Sequence, residues 1–430
     1  MRRPPAPAPY DTTGRGPGEP PHATRSRPAR EHRRPVPAAA RAELLRRAER
    51  APHPLALFAE VSARLRRLLP YDAAVWRATD PETGIMTAPV HTENADADGC
   101  AAYWDVELFA ERVNRFPDLA RRPVPVAGLW ESTGGEPERG SVYGGFLRAR
   151  GLGDELRMVL ALDGRPQATV SLFRAEGRPV FGAADTAFAA SLVVPLARRL
   201  RAYAVPRTPE PPGDTGLHGR PTPATPASGP DAAPAHDREA VPAYDPGTAP
   251  GLLLFDASGA LVFADDTARH HLDRVPAAPA QPSGPGGPGV PAWLRGLIAR
   301  TRAGHGPVRV RLRTRDGRWL TAHATALAGP GNGPGAGPGS APGSGTAVVV
   351  EDARPSDVLP LIADAYGLSE RELEVTTRIA RGLPTGAIAT ELGLSPHTVR
   401  DHVKAVFEKT GTASRGELVG LLYLGHRAAP

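Results

Sequence analysis

Two cations near the C-terminus, Arg400 and Lys404, have the residue types and the spacing that contact with a nucleic acid requires. Residues four apart lie one turn apart on the same face of a helix. Such side chains can donate to guanine O6 and N7 in a major groove, while neighbouring cations meet phosphates. An ordinary solvated helix face is the alternative, because residues 368–424 hold seven Arg or Lys and seven Asp or Glu. The choice depends on the elements that position these side chains.

A capping pair and an apolar stripe predict the helix that carries the two cations. Ser395 is a suitable N-cap, and Pro396 follows it at the first helical position, where the missing N–H costs nothing. Apolar residues then recur at i, i+4, i+7 and i+8, which places them on one core-facing stripe. The stripe consists of Val399, Val403, Val406 and Phe407. The opposite face is expected to expose His397, Arg400, Asp401, Lys404 and Glu408.

Three further helices are predicted around this one. The first begins at a capping box formed by Ser369 and Glu372 and ends at Gly382, which can adopt the left-handed conformation. The second covers about residues 385–392 and leads into a tight turn. The fourth begins at another capping box, which starts at Ser414. The expected fold of this module is therefore all-α, with four helices built around a helix-turn-helix.

The register of these positions resembles the C-terminal DNA-binding domain of the LuxR (NarL/GerE) family of bacterial transcription regulators. The matching positions are Leu368-Ser369, Arg371-Glu372, Ile388-Ala389, Leu392, Ser395, Thr398-Val399-Arg400, His402, Lys409 and Ser414-Arg415. The resemblance implies DNA-binding roles for Thr398, Arg400, Asp401, His402, Lys404, Lys409 and Arg415. It further implies a homodimer on an inverted-repeat site, paired through Leu418, Leu421 and Leu422 of the fourth helix.

Within that resemblance, the three residues expected to read base edges are Arg400, Asp401 and Lys404, and His402 and Lys409 match positions near the DNA backbone. The chain departs from the family at the start of the second helix. Residues 384–387 read Pro-Thr-Gly-Ala where the family has Ser-Asn-Lys-Glu, so polar contacts from that segment are not carried over. The alternative hypothesis is a ligand-sensing or protein-interaction protein whose C-terminal helices dimerise without reading DNA.

The composition predicts a multidomain protein whose globular segments are joined by disordered connectors. Residues 1–38 are rich in Pro and Arg and are expected to be a disordered basic tail, and residues 205–248 are expected to be a disordered linker. Two globular segments, 39–204 and 249–353, precede the helix-turn-helix module, which we place at 362–427.

The first globular segment is expected to be an α+β domain and resembles a GAF sensor domain. Apolar periodicity alternates with turn signals in the order helix, hairpin, helix, hairpin, helix. The predicted helices cover residues 55–68, 103–116 and 185–203, and the predicted hairpins cover residues 73–88 and 156–173.

The second globular segment is likewise expected to be α+β and resembles a PAS domain. A hairpin and two helices precede three strands, and a Gly/Pro loop over 329–345 separates the last two. The predicted hairpin covers residues 252–264, the helices cover residues 266–272 and 293–303, and the strands cover residues 308–312, 319–327 and 347–351.

Two sets of residues in these segments admit either a ligand-binding or a structural interpretation. Buried aromatic residues are more often core than pocket, and lone histidines are more often surface groups or satisfied core groups than haem ligands. The aromatic set is Trp76, Tyr103, Trp104 and Trp130, and the histidines are His270, His271, His305 and His323. We therefore expect no cofactor, and a small-molecule effector stays a candidate partner.

Residue usage excludes several classes of protein. Lys404 and Lys409 are the only lysines, so the preceding chain lacks the Lys of a P-loop, a kinase, a pyridoxal enzyme or a receiver domain. A single cysteine, Cys100, excludes a disulfide framework and a Cys-based metal site. No catalytic motif is present, and we expect no enzyme activity.

The expected location and partners follow from charge and hydropathy. No apolar run approaches the roughly 18 residues of a membrane span, and the N-terminus lacks the apolar core of a signal peptide. The net charge is +6, and its basic excess lies in the first 50 residues. We expect a cytoplasmic bacterial transcription regulator without membrane contact. Double-stranded DNA and a second copy of the chain are its expected partners, and RNA polymerase is a further candidate.

Overall fold

The computed structural model describes residues 36–95, 103, 106–108, 110–204, 249–276, 280–282, 289–304, 307–327 and 345–424. The predicted linker over 205–248 lies outside these residues, as do most of the predicted tail over 1–38 and most of the Gly/Pro loop over 329–345. Cys100, Trp104 and His305 also lie outside them. Within the described ranges no helix is long and apolar enough to cross a bilayer.

The first unit, residues 38–204, is a five-stranded antiparallel sheet with three long helices on one face. The strand order is β2-β1-β5-β4-β3. Both predicted hairpins are confirmed, and the second extends further at both ends than its apolar residues indicated. The helices are α1 (Ala38–Arg50), α2 (Pro54–Leu68) and α3 (Ala183–Ala202), and the strands are β1 (Ala73–Thr79), β2 (Met86–Glu93), β3 (Val126–Gly128), β4 (Leu152–Leu162) and β5 (Arg165–Ala175).

The two faces of this sheet bury different kinds of side chain. Under α1–α3 the core is apolar, with Phe58 and Trp76 packed together at 5.9 Å between ring centroids. The other face holds a second apolar cluster and a buried ion network in which Arg157 contacts Glu107 at 2.7 Å and Glu155 at 3.1 Å. Burial raises the pKa of Glu107 to about 7, although the positive charge of Arg157 opposes that shift.

Two of the aromatic residues that admitted either a pocket or a core interpretation, Trp76 and Tyr103, take core positions in different clusters. Trp76 belongs to the core under the helices, whereas Tyr103 lies in the cluster on the opposite face, where its hydroxyl donates to Glu155 at 2.7 Å. The sheet itself therefore separates the two rings. Trp130 is partly exposed.

Two helical features of this unit differ from the prediction. The predicted helix over 103–116 is wrong in its second half, because residues 110–115 form a turn in which Asn114 has a φ of 53°. Helix α1 was not predicted, because only Leu44 and Ala48 of its residues are buried and the apolar period is correspondingly weak.

The second unit, residues 249–353, is also a five-stranded antiparallel sheet, in the order β10-β11-β12-β6-β7. When only the strands of each five-stranded sheet are counted, in chain order, both sheets have the same order, 2-1-5-4-3. All the predicted helices and strands are confirmed. They are β6 (Gly251–Phe255), β7 (Leu261–Ala264), α4 (Asp266–Arg274), α5 (Ala292–Arg302), β10 (Val308–Arg313), β11 (Trp319–Ala326) and β12 (Thr346–Asp352), and a short pair β8 (Ala280–Pro282) and β9 (Gly289–Pro291) precedes α5.

The C-terminal module has five helices among its described residues, one more than predicted. The added helix is α6 (Pro355–Ala365), and the predicted four are α7 (Glu370–Ala380), α8 (Thr385–Leu392), α9 (Pro396–Thr410) and α10 (Arg415–Leu424). Val358 and Ile362 of α6 join the same core as Val375 and Val406. Helix α6 therefore connects the second sheet directly to the core of the helix-turn-helix.

Candidate DNA-binding site

Helix α9 begins at the predicted cap and ends at Thr410, a bound for which the sequence made no prediction. The Ser395 hydroxyl accepts the amide of Thr398 at 3.0 Å and lies 2.8 Å from the Thr398 hydroxyl. Gly393 before the cap and Gly411 after the helix have φ values of 64° and 69°, which suit glycine. Thr398 is thus part of the cap, and its partly exposed side chain lies at the first turn of the helix.

The two faces of α9 are those expected from the apolar stripe. Val399 and Val406 are fully buried in the core of the module, and Val403 and Phe407 pack against it. The five polar residues predicted to point outward are all exposed, namely His397, Arg400, Asp401, Lys404 and Glu408. This face is open to a large partner, so the first requirement for reading a groove is met.

Charges on this face are arranged unevenly. His397 lies 3.0 Å from Asp401, and Lys404 lies 3.9 Å from Glu408, so each pair spans one helical turn. Among the described residues, Arg400 has neither an ion pair nor a hydrogen bond through its side chain. Its guanidinium keeps all five donors for an external acceptor.

Lys409 links the end of α9 to the start of α7. Its ammonium contacts the Glu372 carboxylate at 2.6 Å and donates to the Gly367 carbonyl at 3.2 Å. Burial alone would raise the pKa of Glu372, but hydrogen bonds from Lys409 and Ser369 outweigh burial and hold that pKa below its usual value. An ammonium has three donors. The third donor of Lys409, whose side chain is 38% exposed, can still meet a phosphate.

Arg415 fixes the turn between α7 and α8. Its guanidinium donates to the Leu383 carbonyl at 2.9 Å and to the Thr385 hydroxyl at 2.8 Å. The residue therefore positions the start of α8, in the segment where the chain departs from the family. Its two partners are about thirty residues away in sequence, so no local pattern could have indicated this role.

The dimer contacts predicted for α10 require a correction. Leu418 and Leu422 are only 0% and 2% exposed, because both pack into the core of their own module. A side chain without accessible surface cannot contact a second chain, so these two residues are structural. Leu421 is partly exposed and is the member of the predicted set that a partner can reach.

His402, His271 and His323 have ordinary surroundings. His402 is partly exposed beside the exposed face of α9. His271 is buried, with Nε2 2.8 Å from the Ala249 carbonyl, and His323 is exposed, with Nε2 3.9 Å from Glu351. No cluster of His, Cys, Asp or Glu able to hold a metal ion occurs in the part of the chain that the structure describes.

Comparison with known proteins matches this site to one family. Residues 367–422 match the family described as "Bacterial regulatory proteins, luxR family". Over 52 residues the chain is 48% identical to the probable transcriptional regulatory protein NarL of Mycobacterium tuberculosis, which covers 12% of this chain and 24% of the relative. Residues 367–422 are thus a helix-turn-helix domain of the LuxR family.

Two further relatives cover the same region. The probable HTH-type transcriptional regulator GfsR of Streptomyces halstedii is 38% identical over 73 residues, which is 17% of this chain and 28% of that protein. The transcriptional regulatory protein UhpA of Escherichia coli is 40% identical over 58 residues, which is 14% of this chain and 30% of that protein. The chain matches less than a third of the length of each of these relatives.

Solved structures with partial likeness include a VqmA–ligand–DNA complex from Vibrio cholera, at 20% identity, with 41% of this chain and 82% of that chain covered. A phage VqmA–DPO complex is 19% identical, with 43% and 87% covered. Their TM-scores are 0.19 and 0.17, too low to carry an argument about the arrangement of this chain.

Proposed function

We propose that the whole chain is a sequence-specific, DNA-binding transcription regulator in which α9 reads the major groove. The single observation that supports this most is the open face of α9, where the Arg400 guanidinium has no partner among the described residues. A guanidinium that keeps its donors can bond guanine O6 and N7 in a bidentate way. The family of residues 367–422 supplies independent support.

The remaining site residues divide by task in this proposal. Arg400, Asp401 and Lys404 meet base edges, and approach of DNA separates Asp401 from His397 and Lys404 from Glu408. His402 and the third donor of Lys409 meet the backbone. Thr398 contributes at the first turn, and Arg415 acts by holding α8 in place. Because the reading face carries both signs of charge, most of its discrimination must come from hydrogen-bond geometry rather than from net attraction.

The two upstream units act as GAF-like and PAS-like sensory domains in this proposal. The common strand order of the two units and the direct continuation of the second unit through α6 into the module support that role. A change in either unit that moves α6 also moves the core that supports α9. The chain acts as a homodimer on an inverted repeat, and the surface around Leu421 is the part of α10 that faces the second copy.

The rival hypothesis, in which the C-terminal helices pair without reading DNA, also requires a dimer, so the burial of Leu418 and Leu422 does not separate the two hypotheses. The rival leaves the open face of α9 without a role. The exposed residues of α9 are also mostly charged, which suits a nucleic acid better than an apolar protein interface.

Selection from random duplexes tests the proposal with the full chain. The purified protein is incubated with a pool of random 30-base-pair duplexes, bound molecules are amplified over several rounds, and the enriched sequences are aligned. We expect one enriched motif composed of two inverted half-sites. If no motif is enriched at a salt concentration that still permits binding, the result contradicts sequence-specific recognition and favours the rival hypothesis.

A further inference from the structure

The second sheet has one face packed against helices and one face turned away from them. Leu253, Val348 and Val350 lie in the core of the second unit together with Trp293 and Leu297 of α5. Successive side chains of a strand point to opposite faces, so the alternate residues of the same strands lie on the other side of the sheet. We call this side the outer face.

One end of the outer face is covered by other parts of the molecule. Strand β10 contributes the arginine row, which consists of Arg309, Arg311 and Arg313. Arg311 donates to the Asp80 carboxylate of the first unit through Nε at 2.9 Å and to the Asp357 carbonyl of α6 at 3.1 Å. Arg309 donates to the Asp357 carboxylate at 2.8 Å. The first unit and α6 therefore meet the outer face along β10.

The other end of the outer face, on β6, β7 and β12, is apolar and accessible. Cross-strand partners share a face of the sheet, and Leu254 pairs with Phe263 on one side and with Ala347 on the other. In the neighbouring row Leu252 pairs with Val349. Phe263 is 47% exposed, and the other four residues are partly exposed. These five residues form what we call the outer patch, and none of them carries a charge.

The sequences of β6 and β12 are typical of strands that are covered on both faces. Residues 252–255 read Leu-Leu-Leu-Phe and residues 347–350 read Ala-Val-Val-Val, without a polar residue in either run. A strand with one solvated face alternates apolar and polar residues, whereas a near-continuous apolar run is typical of a strand buried on both sides. Strand β11 of the same sheet does alternate, because Thr321, His323 and Thr325 lie between residues of the core. The outer patch therefore has the composition of a covered surface, although it is accessible in the single chain.

The chain itself has few residues with which to cover the outer patch. An apolar surface is stabilised when apolar side chains remove it from water. The long segments outside the described residues are 1–35, 205–248 and 328–344. They contain two, four and no residues, respectively, of the types Val, Ile, Leu, Met, Phe, Trp and Tyr. A second polypeptide is therefore the better source of a complementary apolar surface.

A second copy of this chain suits the outer patch. In a contact around a two-fold axis the same patch is used by both copies, so residues near the axis meet their own counterparts. Charged residues would repel one another in such a contact, and the outer patch has none. The proposed function also requires a homodimer, whereas α10 offers a partner only Leu421 of its predicted set, because Leu418 and Leu422 are buried in their own module.

We propose that two copies of the chain associate through their outer patches, sheet face against sheet face, around a two-fold axis. The proposal rests on the homodimer of the proposed function and names the surface through which that dimer forms. The two outer faces stack about 10 Å apart, as packed sheets do, and their apolar side chains interdigitate. His323, Glu351 and Arg354 border the outer patch and supply the polar rim that such contacts have.

Sedimentation velocity of the full chain without DNA, over a series of concentrations, measures this association. We expect a monomer–dimer equilibrium for the wild type. Phe263→Glu places a carboxylate in the apolar contact of both copies, so we expect the dissociation constant of the dimer to rise by about thirtyfold or more.

Val262→Glu is the matched control for that variant. Val262 precedes Phe263 on β7, is 62% exposed, and lies on the other face of the strand. The control introduces the same charge beside the outer patch, and its dissociation constant should change by less than about threefold. Equal dissociation constants for the wild type, Phe263→Glu and Val262→Glu would overturn the proposal, as would a wild-type chain that stays monomeric at every concentration.

A photo-crosslink gives the answer if Phe263→Glu fails to fold. The two variants are Phe263→p-benzoylphenylalanine, which keeps an aromatic ring at the outer patch, and Val262→p-benzoylphenylalanine as its control. Illumination should join two chains of the first variant through a peptide of β6, β7 or β12, and should join few chains of the second. Crosslinks of the first variant that fall only within a single chain would overturn the proposal.

Failure of this dimer contact is distinguishable from failure of DNA recognition. None of these measurements contains DNA, and a chain without the contact can still enrich a motif that consists of one half-site in the duplex selection. A dimer that forms through the outer patch but enriches no motif would support the contact and contradict the proposed function.

Discussion

Three cationic residues on and beside α9 have different surroundings and therefore different roles. Arg400 projects from the exposed face, whereas Lys409 and Arg415 are bonded to other helices of the module. The family resemblance implies base contact for Arg400 and backbone contact for Lys409, but nothing in the sequence indicates that Lys409 and Arg415 also bind other parts of the module. The distinction depends on partners that are 37 and 32 residues away along the chain, which local patterns do not reveal.

Lys409→Met should weaken the module without removing base preference. The change leaves the largely buried Glu372 without its ammonium partner, and we expect a loss of about 1 kcal/mol in the free energy of unfolding. The pKa of Glu372 is depressed in the folded chain, so this contribution is present above the unfolded pKa of about 4.3 and is lost as the pH falls through the lower folded value. Urea unfolding of the wild type and the variant at pH 7 and at pH 3 measures the loss of unfolding free energy and its pH dependence. Amide exchange in α7 and α9 measures the loss in the two helices that the bond joins.

The matched control for that experiment is Lys404→Met, the other lysine of the chain. Lys404 is 78% exposed and lies 3.9 Å from Glu408, so its removal should change stability by less than about 0.5 kcal/mol. If both variants lose the same stability at pH 7, the bond between Lys409 and Glu372 contributes nothing specific.

Glu107→Gln should reduce the pH dependence of stability in the first unit. Burial raises the folded pKa of Glu107 to about 7, above the unfolded value of about 4.3. The folded state therefore binds this proton more tightly, and stability falls as the pH rises between those two values. Glutamine does not titrate, so thermal unfolding at pH 5 and pH 8 should differ less in the variant. The same change at Glu60, whose side chain is 38% exposed, is the control, and an unaltered difference for Glu107→Gln would contradict the raised pKa.

At the scale of the single helix, capping residues and glycines were the features that predicted most of the helix bounds. Ser369, Ser395, Gly382 and Gly393 mark the bounds of α7–α9, because each acts through bonds or backbone angles within a few residues. Helices α1 and α6 were missed. Their burial depends on contacts with distant elements, which no local cap or period reports.

Gly386→Ala should stabilise α8. Gly386 is exposed within this helix, its φ is not positive, and an added Cβ would meet no atom within 4 Å. Alanine has a helix propensity up to about 1 kcal/mol better than glycine, so the free energy of unfolding should rise by at most that amount. Chemical denaturation measures the change. Gly393→Ala is the control with the opposite expected sign, since Gly393 has a φ of 64°.

Across the whole molecule, the arginine row of β10 joins two similar sheets to the module that carries α9. The order of strands within each unit was predictable in part from hairpins, but the use of β10 as an interface was not. An alternating strand predicts only that one side is polar. Whether that side meets water or Asp80 and Asp357 depends on how the units are assembled.

Asp80→Asn should separate the units and change control of the module. The substitution leaves the buried Arg311 with one carboxylate partner, Glu82 at 2.9 Å, so the cost should not exceed the lower end of the about 3–5 kcal/mol of a broken buried pair. We expect a single calorimetric transition of the wild-type chain to divide into separate transitions. Asp266→Asn is the control, because that carboxylate is 98% exposed and pairs with Arg269, which lies three residues away on the same helix. Retention of one transition in Asp80→Asn would show that the bond to Arg311 does not couple the units.

The base preference of the full chain with and without the Arg400 guanidinium tests most directly whether α9 reads DNA sequence. Affinities of wild type, Arg400→Ala and the charge-matched control Arg269→Ala are measured on the selected site and on its single-base variants, at one fixed salt concentration. Arg400→Ala should lose about 1–3 kcal/mol on the selected site and lose discrimination at one base pair in each half-site, while Arg269→Ala keeps both. Unchanged discrimination at every position in Arg400→Ala would contradict sequence reading by the exposed face of α9.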